Sequence, residues 1–122
     1  MSRVDLFVDA NILIDLAEGR NQMDQYVDGN NLFLSVITEI ELLGWHKITA
    51  KQESFLKSLH SDCPIVGLSK PAKELAIEIR QKHKIKLPDS IIAASSLHLD
   101  VPLLTQGKGF EKIKSLNLFI IQ

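Results

Sequence analysis

The segment VDLFVDANILIDL, residues 4–16, decides the fold because two hydrophobic patterns meet within it. The mostly apolar run at residues 4–8 predicts a short strand that is buried in a sheet. After Asp9, three apolar residues share the spacing of one helix face: Ile12, Leu13 and Leu16. The helix should end near Gly19, since glycine commonly follows the last turn of a helix. The segment is thus a strand leading directly into a helix, with an acidic residue at the junction.

The same alternation continues along the chain and predicts the α/β class. Four further strands are predicted at residues 32–36, 64–68, 102–105 and 118–121. Helices are predicted at residues 23–27, 38–46, 49–60, 71–83 and 89–99, with a short helix between the last two strands. The helix at residues 89–99 is apolar or small nearly all round and should therefore be buried. Apolar strands separated by helices imply a parallel sheet that helices cover on both faces.

Length and composition indicate a folded protein with one core. A chain of 122 residues is too short for two domains that each bury enough apolar surface, so residues 1–122 should form one domain. Apolar residues make up 45% of the chain and charged residues 24%, a composition that disfavours disorder. The apolar runs are too short to span a bilayer and the N-terminus does not resemble a signal peptide. We therefore expect a cytoplasmic protein without membrane segments.

The rarer residues and the net charge exclude further classes of protein. Cys63 is the single cysteine, which rules out an internal disulfide and a multi-cysteine zinc site. The four histidines show no pair at metal-ligand spacing, which argues against zinc. Trp45 is expected to serve packing or a dimer interface rather than base stacking. The formal net charge of -1 gives no overall attraction to nucleic acid, so any contact with RNA needs local positive charge.

Three acidic residues occupy positions where a carboxylate among apolar neighbours is costly. Asp9 follows the first strand, Glu41 is expected in the first turn of the helix after the second strand, and Asp89 opens the buried helix. Ligands of open α/β sheets bind beyond the carboxyl ends of the strands, where the strand order reverses. We therefore expect the three side chains at one edge of the sheet, where they would repel one another and partly protonate without a cation.

A hard divalent cation would remove this repulsion. Mg2+ and Mn2+ prefer oxygen ligands, keep several waters and bind through a few carboxylates together with a phosphate. An ion held in this way can activate a water and neutralise a phosphate during an in-line displacement. The three acids therefore favour phosphodiester hydrolysis as the reaction.

Each acid also has a structural interpretation. Asp9 could cap the helix that follows it, and Asp89 could favour the positive end of its own helix. Thr38 and Glu41 have the S/T-x-x-E spacing of a capping box, which would make Glu41 a structural residue. Spacing alone does not decide between these roles and a shared metal site.

Four segments, taken in order, resemble the motifs of the PIN domain family and in particular those of VapC-type toxin ribonucleases. Residues 8–14 (VDANILI) resemble the first motif, in which an aspartate follows the first strand. Residues 35–43 (SVITEIELL) resemble the second and select Glu41 rather than the glutamate two residues earlier. Residues 87–95 (LPDSIIAAS) resemble the third, and residues 102–105 (PLLT) resemble the strand before the last motif. The resemblance covers essentially the whole chain.

This resemblance implies a PIN-like three-layer α/β/α fold with a short central parallel sheet. It implies an endoribonuclease that depends on Mg2+ or Mn2+. The metal ligands and catalytic residues would be Asp9, Glu41 and Asp89, and the supporting polar residues would be Asn11 and Thr105. It also implies an RNA substrate, a homodimer formed through the early helices and a partner antitoxin protein.

One segment departs from the family pattern. The family commonly has an acid or an asparagine shortly after the threonine of the last motif, often as T-x-D/N. In this chain Thr105 is followed by Gln106, and then by Gly107 and Gly109 where those side chains would be expected. The fourth carboxylate is therefore missing, a second metal ion would be poorly held, and the glycines would let a phosphate approach the backbone closely. A non-catalytic PIN-like module that binds RNA or a protein remains the alternative function.

A basic run that ends three residues before Asp89 is the main candidate for RNA contacts. Its cationic members are Arg80, Lys82, Lys84 and Lys86, and further candidates are Lys108, Lys112 and Lys114. These side chains would bind phosphates beside the metal and supply the local charge that the chain as a whole lacks. Alternatively, the run is a solvated helix end, where cations suit the negative end of the dipole. No short motif separates RNA from DNA as the substrate.

Overall fold

A five-stranded parallel sheet forms the centre of the computed structural model, which describes residues 3–19 and 28–120. Its strands are β1 (Asp5–Val8), β2 (Asn31–Ser35), β3 (Ile65–Val66), β4 (Leu103–Thr105) and β5 (Leu118–Ile120). Their order across the sheet is β3-β2-β1-β4-β5, and every neighbouring pair is parallel. The parallel sheet predicted from the apolar strands is confirmed.

Helices connect these strands. The α-helices of the described residues are α1 (Ala10–Ala17), α2 (Val36–Leu43), α3 (Ala50–Ser61), α4 (Lys70–Lys82) and α5 (Leu87–Leu99). A short 3-10 helix at Lys108–Lys112 lies between β4 and β5, as predicted. The helix predicted at residues 23–27 and the last residue of the strand predicted at 118–121 lie outside the described residues. No described helix is long and apolar enough to cross a membrane.

The sheet is covered by helices on both faces. Along β1, Phe7 packs on one face, while Leu6 and Val8 pack on the other, because successive side chains of a strand alternate. The first face carries a core with residues of α4 and α5, among them Ala76, Ile79, Ile91 and Ile92. The second carries a core with residues of α1, α2 and α3, among them Ile12, Leu13, Leu42 and Leu56. The three-layer α/β/α fold is thus confirmed.

The start of α2 differs from the prediction. Its N-cap is Ser35, the last residue of β2, whose Oγ accepts a hydrogen bond of 3.1 Å from the backbone N–H of Ile37. Because this serine already caps the helix, the predicted start at residue 38 and the first-turn position of Glu41 are wrong. Thr38 lies buried inside the helix, where its Oγ1 makes no hydrogen bond to any residue that the structure describes. The Thr38–Glu41 capping box does not form, so Glu41 has no role as a cap.

The end of α2 and the start of α3 follow from local chemistry. Helix α2 ends before Gly44 rather than at residue 46, and a Cβ atom at Gly44 would lie 2.5 Å from the backbone oxygen of Ile40. Helix α3 begins with a capping box, in which the side chains of Thr49 and Gln52 each accept the other residue's backbone N–H at 3.1 Å. The helix was predicted to begin at residue 49, one residue before its observed start.

Candidate metal centre

The carboxyl ends of β1 and β4 form the candidate site. From β1, the next two strands, β2 and β3, are added in turn toward one edge of the sheet. The chain then returns, and β4 is added next to β1 toward the opposite edge. The strand order therefore reverses between β1 and β4, which is where α/β sheets bind ligands. Asp9 directly follows β1, and Thr105 is the last residue of β4.

Both carboxylate oxygens of Asp9 are held by hydrogen bonds. Oδ1 accepts from the backbone N–H of Ala10 at 2.7 Å, and Oδ2 accepts from the hydroxyl of Thr105 at 2.6 Å. Thr105 Oγ1 in turn accepts from the backbone N–H of Gly107 at 2.8 Å. Asp9 is 5% exposed and is also the N-cap of α1, so the capping role predicted for it is confirmed. A carboxylate has about four lone-pair sites, so capping leaves Asp9 able to bind a cation as well.

Glu41 and Asp89 face the same cleft as Asp9 from two different helices. The cleft has a volume of about 220 Å³, and its polar lining includes Asp9, Asn11, Glu41, Lys86 and Asp89. Glu41 lies in the second half of α2, and Asp89 lies in the first turn of α5. The structure thus brings together three acids that are far apart in the sequence.

Burial and mutual repulsion raise the pKa of two of these carboxyls. Burial is the largest cause of the raised pKa of Glu41, and the negative charges of Asp89 and Asp9 raise it further. Burial also raises the pKa of Asp89, as does the charge of Asp9, while the positive charge of Lys86 lowers it. The carboxylates are therefore close enough to repel one another, and a divalent cation would relieve this repulsion.

The donor atoms of the cleft suit a hard cation. All three acids offer oxygen ligands, which Mg2+ and Mn2+ prefer. Within residues 3–19 and 28–120, no three acidic, histidine or cysteine side chains lie close enough together to hold a metal ion among them. Mg2+ keeps several waters and usually binds through one or two carboxylates plus a phosphate, so it does not require three protein ligands that already converge.

Glycine backbone lines the cleft where the family's fourth acid was expected. Gly107 and Gly109 both border it. A Cβ atom at Gly107 would lie 3.3 Å from Thr105 Oγ1, whereas a Cβ atom at Gly109 would meet nothing within 4 Å. A side chain would therefore be crowded at Gly107, next to the threonine that holds Asp9, but would have open space at Gly109.

The sequence patterns did not single out Asp15, a buried acid outside the cleft. Asp15 of α1 is 4% exposed, and its Oδ2 accepts a hydrogen bond of 2.7 Å from Nε2 of Gln106. Gln106 follows Thr105 directly, so this bond ties the end of β4 to α1. The only signal in the sequence is a charged residue within the apolar pattern of α1.

Of the seven cations proposed for RNA binding, Lys86 alone lines the cleft. Lys82 instead pairs with Glu78 at 2.7 Å, and the backbone oxygen of Lys84 accepts a hydrogen bond of 2.7 Å from Nζ of Lys112. Arg80 and Lys108 are exposed and do not border the cleft. The basic run is therefore spread over a wider surface than the sequence pattern suggested.

An apolar groove of about 420 Å³ opens beside the cleft, between α1, α2 and α3. It shares Ala10, Asn11 and Glu41 with the cleft, and its large apolar residues include Ile14 and Trp45. Trp45 is 47% exposed. The groove therefore offers an apolar surface directly next to the acids.

Comparisons with known proteins agree with this fold. The PIN domain model matches residues 6–116. A chain of a toxin-antitoxin complex from Klebsiella pneumoniae is 31% identical with a TM-score of 0.80, and the match covers 95% of this chain and 99% of that chain. A chain of VapBC2 from Rickettsia felis, bound to a DNA fragment from its promoter, is 24% identical with a TM-score of 0.76, covering 96% and 98%. A chain of VapBC-1 from nontypeable Haemophilus influenzae is 21% identical with a TM-score of 0.76, again covering 96% and 98%. Comparison with curated protein sequences found no match.

Proposed function

The chain belongs to the PIN domain family, and we propose that it is a metal-dependent endoribonuclease, the toxin of a type II toxin–antitoxin pair. Its likeness to VapC-type toxins supports a nuclease in general terms. RNA as the substrate and Mg2+ or Mn2+ as the cofactor are the finer parts of the proposal. The observation that carries it is the single cleft at the end of β1, which three acids from distant segments line together.

The residues of the cleft would have different roles in metal binding, in orientation of the ligands and in attraction of the phosphate. Asp9, Glu41 and Asp89 would hold one Mg2+ or Mn2+ ion. When bound, such an ion lowers the pKa of a coordinated water and neutralises charge on a phosphate. Thr105 fixes the direction of the Asp9 carboxylate through its hydrogen bond to Oδ2. Lys86 places a positive charge at the cleft, where it would attract the phosphate of the strand to be cut.

Cleavage of a labelled single-stranded RNA with Mn2+ tests this function, with Asp9→Asn as the main variant. Asparagine still caps a helix, so α1 should remain intact while one anionic ligand is lost. We expect the rate to fall by at least about 100-fold, in line with losses for disrupted metal sites. Asp100→Asn is the matched control, because Asp100 is exposed and its left-handed backbone (φ 55) suits asparagine equally well. Equal rates for wild type and Asp9→Asn would remove the assignment, and cleavage of DNA but not RNA would correct the substrate.

A non-catalytic module that binds RNA or a protein is the second candidate. The observation that favours it is the glycine backbone at the position of the fourth acid. Calorimetric titration with Mg2+ and Mn2+ separates the two candidates. Binding that Asp9→Asn abolishes supports the nuclease, whereas no binding at millimolar metal supports the module.

An antitoxin is the proposed protein partner, since the similar chain from Klebsiella pneumoniae is part of a toxin-antitoxin complex. We propose that an apolar segment of the antitoxin occupies the groove beside the cleft and covers Trp45. Where a small open reading frame lies next to the gene, its co-expression with this chain, followed by co-purification, tests this. Trp45→Ser should weaken the complex, whereas Phe55→Ser should not, because Phe55 is also exposed but lies outside the groove. A complex that survives Trp45→Ser would place the antitoxin elsewhere.

A homodimer formed through the early helices is also part of the proposal. Ile40 of α2 is a large apolar residue that is exposed and lies outside the groove, which leaves surface for a second copy. Light scattering during gel filtration measures the mass directly. A mass of one chain at micromolar concentration would contradict the dimer.

A further inference from the structure

A second cleft, of about 330 Å³, lies on the α4–α5 side of the molecule. Its floor is apolar and includes Ile79 of α4, Leu97 of α5 and Ile113, which follows the 3-10 helix. Its rim carries three lysines and a histidine: Lys82, His83, Lys112 and Lys114. We call it the lysine cleft. Neither the proposed metal centre nor the apolar groove uses it.

The rim of the lysine cleft is positively charged although the chain as a whole is not. Glu78 is the one acid among the lining residues, and it pairs with Lys82 at 2.7 Å. Lys112 donates to the neutral backbone oxygen of Lys84, so its charge is not cancelled by that contact. Lys112 and Lys114 therefore give the rim a net positive charge, against a formal net charge of -1 for the chain. Such a local concentration of cations attracts phosphates.

A short segment connects the lysine cleft to the carboxylate cleft. His83 borders the first and Lys86 borders the second, and the three residue steps between them span on the order of 10 Å at most. The hydrogen bond from Lys112 Nζ to the backbone oxygen of Lys84 fastens the rim to the middle of this segment. The two clefts are therefore close enough along the chain for one RNA strand to reach both.

We propose that the lysine cleft is a second subsite for the substrate strand, which holds an unpaired nucleotide a few positions from the scissile phosphate. Its phosphates would bind Lys112 and Lys114, and its base would lie on the apolar floor. The recess requires a base that is not stacked in a helix, so the substrate is single-stranded at this point. This inference rests on the proposed function, because it assumes that the carboxylate cleft handles the same strand.

Binding of fluorescently labelled RNA to the full chain tests the subsite. The Asp9→Asn background prevents cleavage, and anisotropy is measured between roughly 50 and 200 mM salt. The test variant is Lys112→Gln with Lys114→Gln, and the matched control is Lys51→Gln with Lys73→Gln, two exposed lysines that line neither cleft. All four positions are on the surface, so folding should be unaffected, and circular dichroism checks this.

The subsite predicts a loss that depends on RNA length. For an unstructured RNA of about 12 nucleotides, the test variant should bind about tenfold more weakly than the control. The salt slope should fall by about 1.4, which corresponds to two lost phosphate contacts on a single strand. A dinucleotide is too short to fill both clefts at once, so the test variant should lose less affinity for it than for the longer RNA. An unchanged affinity and slope for the longer RNA would overturn the subsite.

Two other results would distinguish a failure of this inference from a failure of the proposed function. If the test variant binds RNA like the control but loses the antitoxin, the lysine cleft serves a protein and the inference is wrong. If wild type fails to cleave RNA while the test variant still shows the length-dependent loss, the proposed function fails and the second RNA contact stands.

Discussion

Thr105 and Asp9 are 96 positions apart in the sequence and are joined by a hydrogen bond of 2.6 Å between buried side chains. The hydroxyl of Thr105 both donates to Asp9 and accepts from the backbone of Gly107, so it cannot rotate freely. Groups that orient a metal ligand in this way tune the affinity of the site without touching the ion. The threonine is therefore a positioning residue.

Removing that hydroxyl should weaken metal binding. We expect Thr105→Val to lower Mn2+ affinity and the cleavage rate by about 10- to 100-fold, because Asp9 loses its orientation. Thr105→Ser keeps the hydroxyl and should restore most of both quantities. Calorimetry and single-turnover cleavage measure the two effects. Wild-type values for Thr105→Val would show that Asp9 needs no support from β4.

The raised pKa values of Glu41 and Asp89 have a consequence for stability without metal. Between the ordinary pKa of these carboxyls and the raised value, the folded form binds more protons than the unfolded form. The free energy of unfolding therefore falls as the pH rises through this window, and the loss remains above it.

Replacing Asp89 with asparagine removes its own unfavourable charge and one source of repulsion on Glu41. In EDTA at pH 7, Asp89→Asn should be more stable than wild type by on the order of 0.5 kcal/mol, a small effect because solvent screens both groups. Below about pH 3, where carboxyls are mostly protonated in both the folded and the unfolded form, the two proteins should be equal. Urea unfolding at both pH values measures this. A variant that is less stable than wild type at pH 7 would contradict the repulsion.

At the scale of elements, hydrophobic patterns located most strands and helices but not their ends. The apolar run before Asp9 and the nearly all-apolar helix α5 were predicted because burial by itself requires such patterns. Helix α2 was misplaced because Ser35 caps it from within the strand, and the sequence offers Thr38 as an equally good cap. Hydrogen bonds that cross elements, such as Gln106 to Asp15, have no local pattern and could not be predicted.

The end of α2 provides a test at this scale. Gly44→Ala places a Cβ atom 2.5 Å from the Ile40 backbone oxygen, so the helix end must shift. We expect a loss of about 1–3 kcal/mol in the free energy of unfolding, typical of overpacking. Gly67→Ala is the control, because its Cβ would meet nothing within 4 Å, and it should be neutral or slightly stabilising. Equal urea midpoints for the two variants would show that the contact at Gly44 is relaxed at little cost.

At the scale of the whole molecule, the topology explains why the acids meet. Strand β1 lies in the middle of the sheet, and the reversal of strand order leaves a gap beside its carboxyl end. The positions of Asp9 and Asp89 relative to their elements were predictable, because a residue after a strand or at the start of a helix is fixed by the chain. Their distance from Glu41 depends on how α2 and α5 pack against the sheet, and that is not encoded in any one segment.

The proposed function depends on one divalent ion shared by Asp9, Glu41 and Asp89. Anomalous diffraction from crystals soaked in Mn2+ measures this most directly. We expect one strong peak in the cleft, with oxygens of all three side chains bound to it directly or through water. A well-diffracting soak with no peak in the cleft, or with a peak held by other residues, would show that these acids do not form a metal centre.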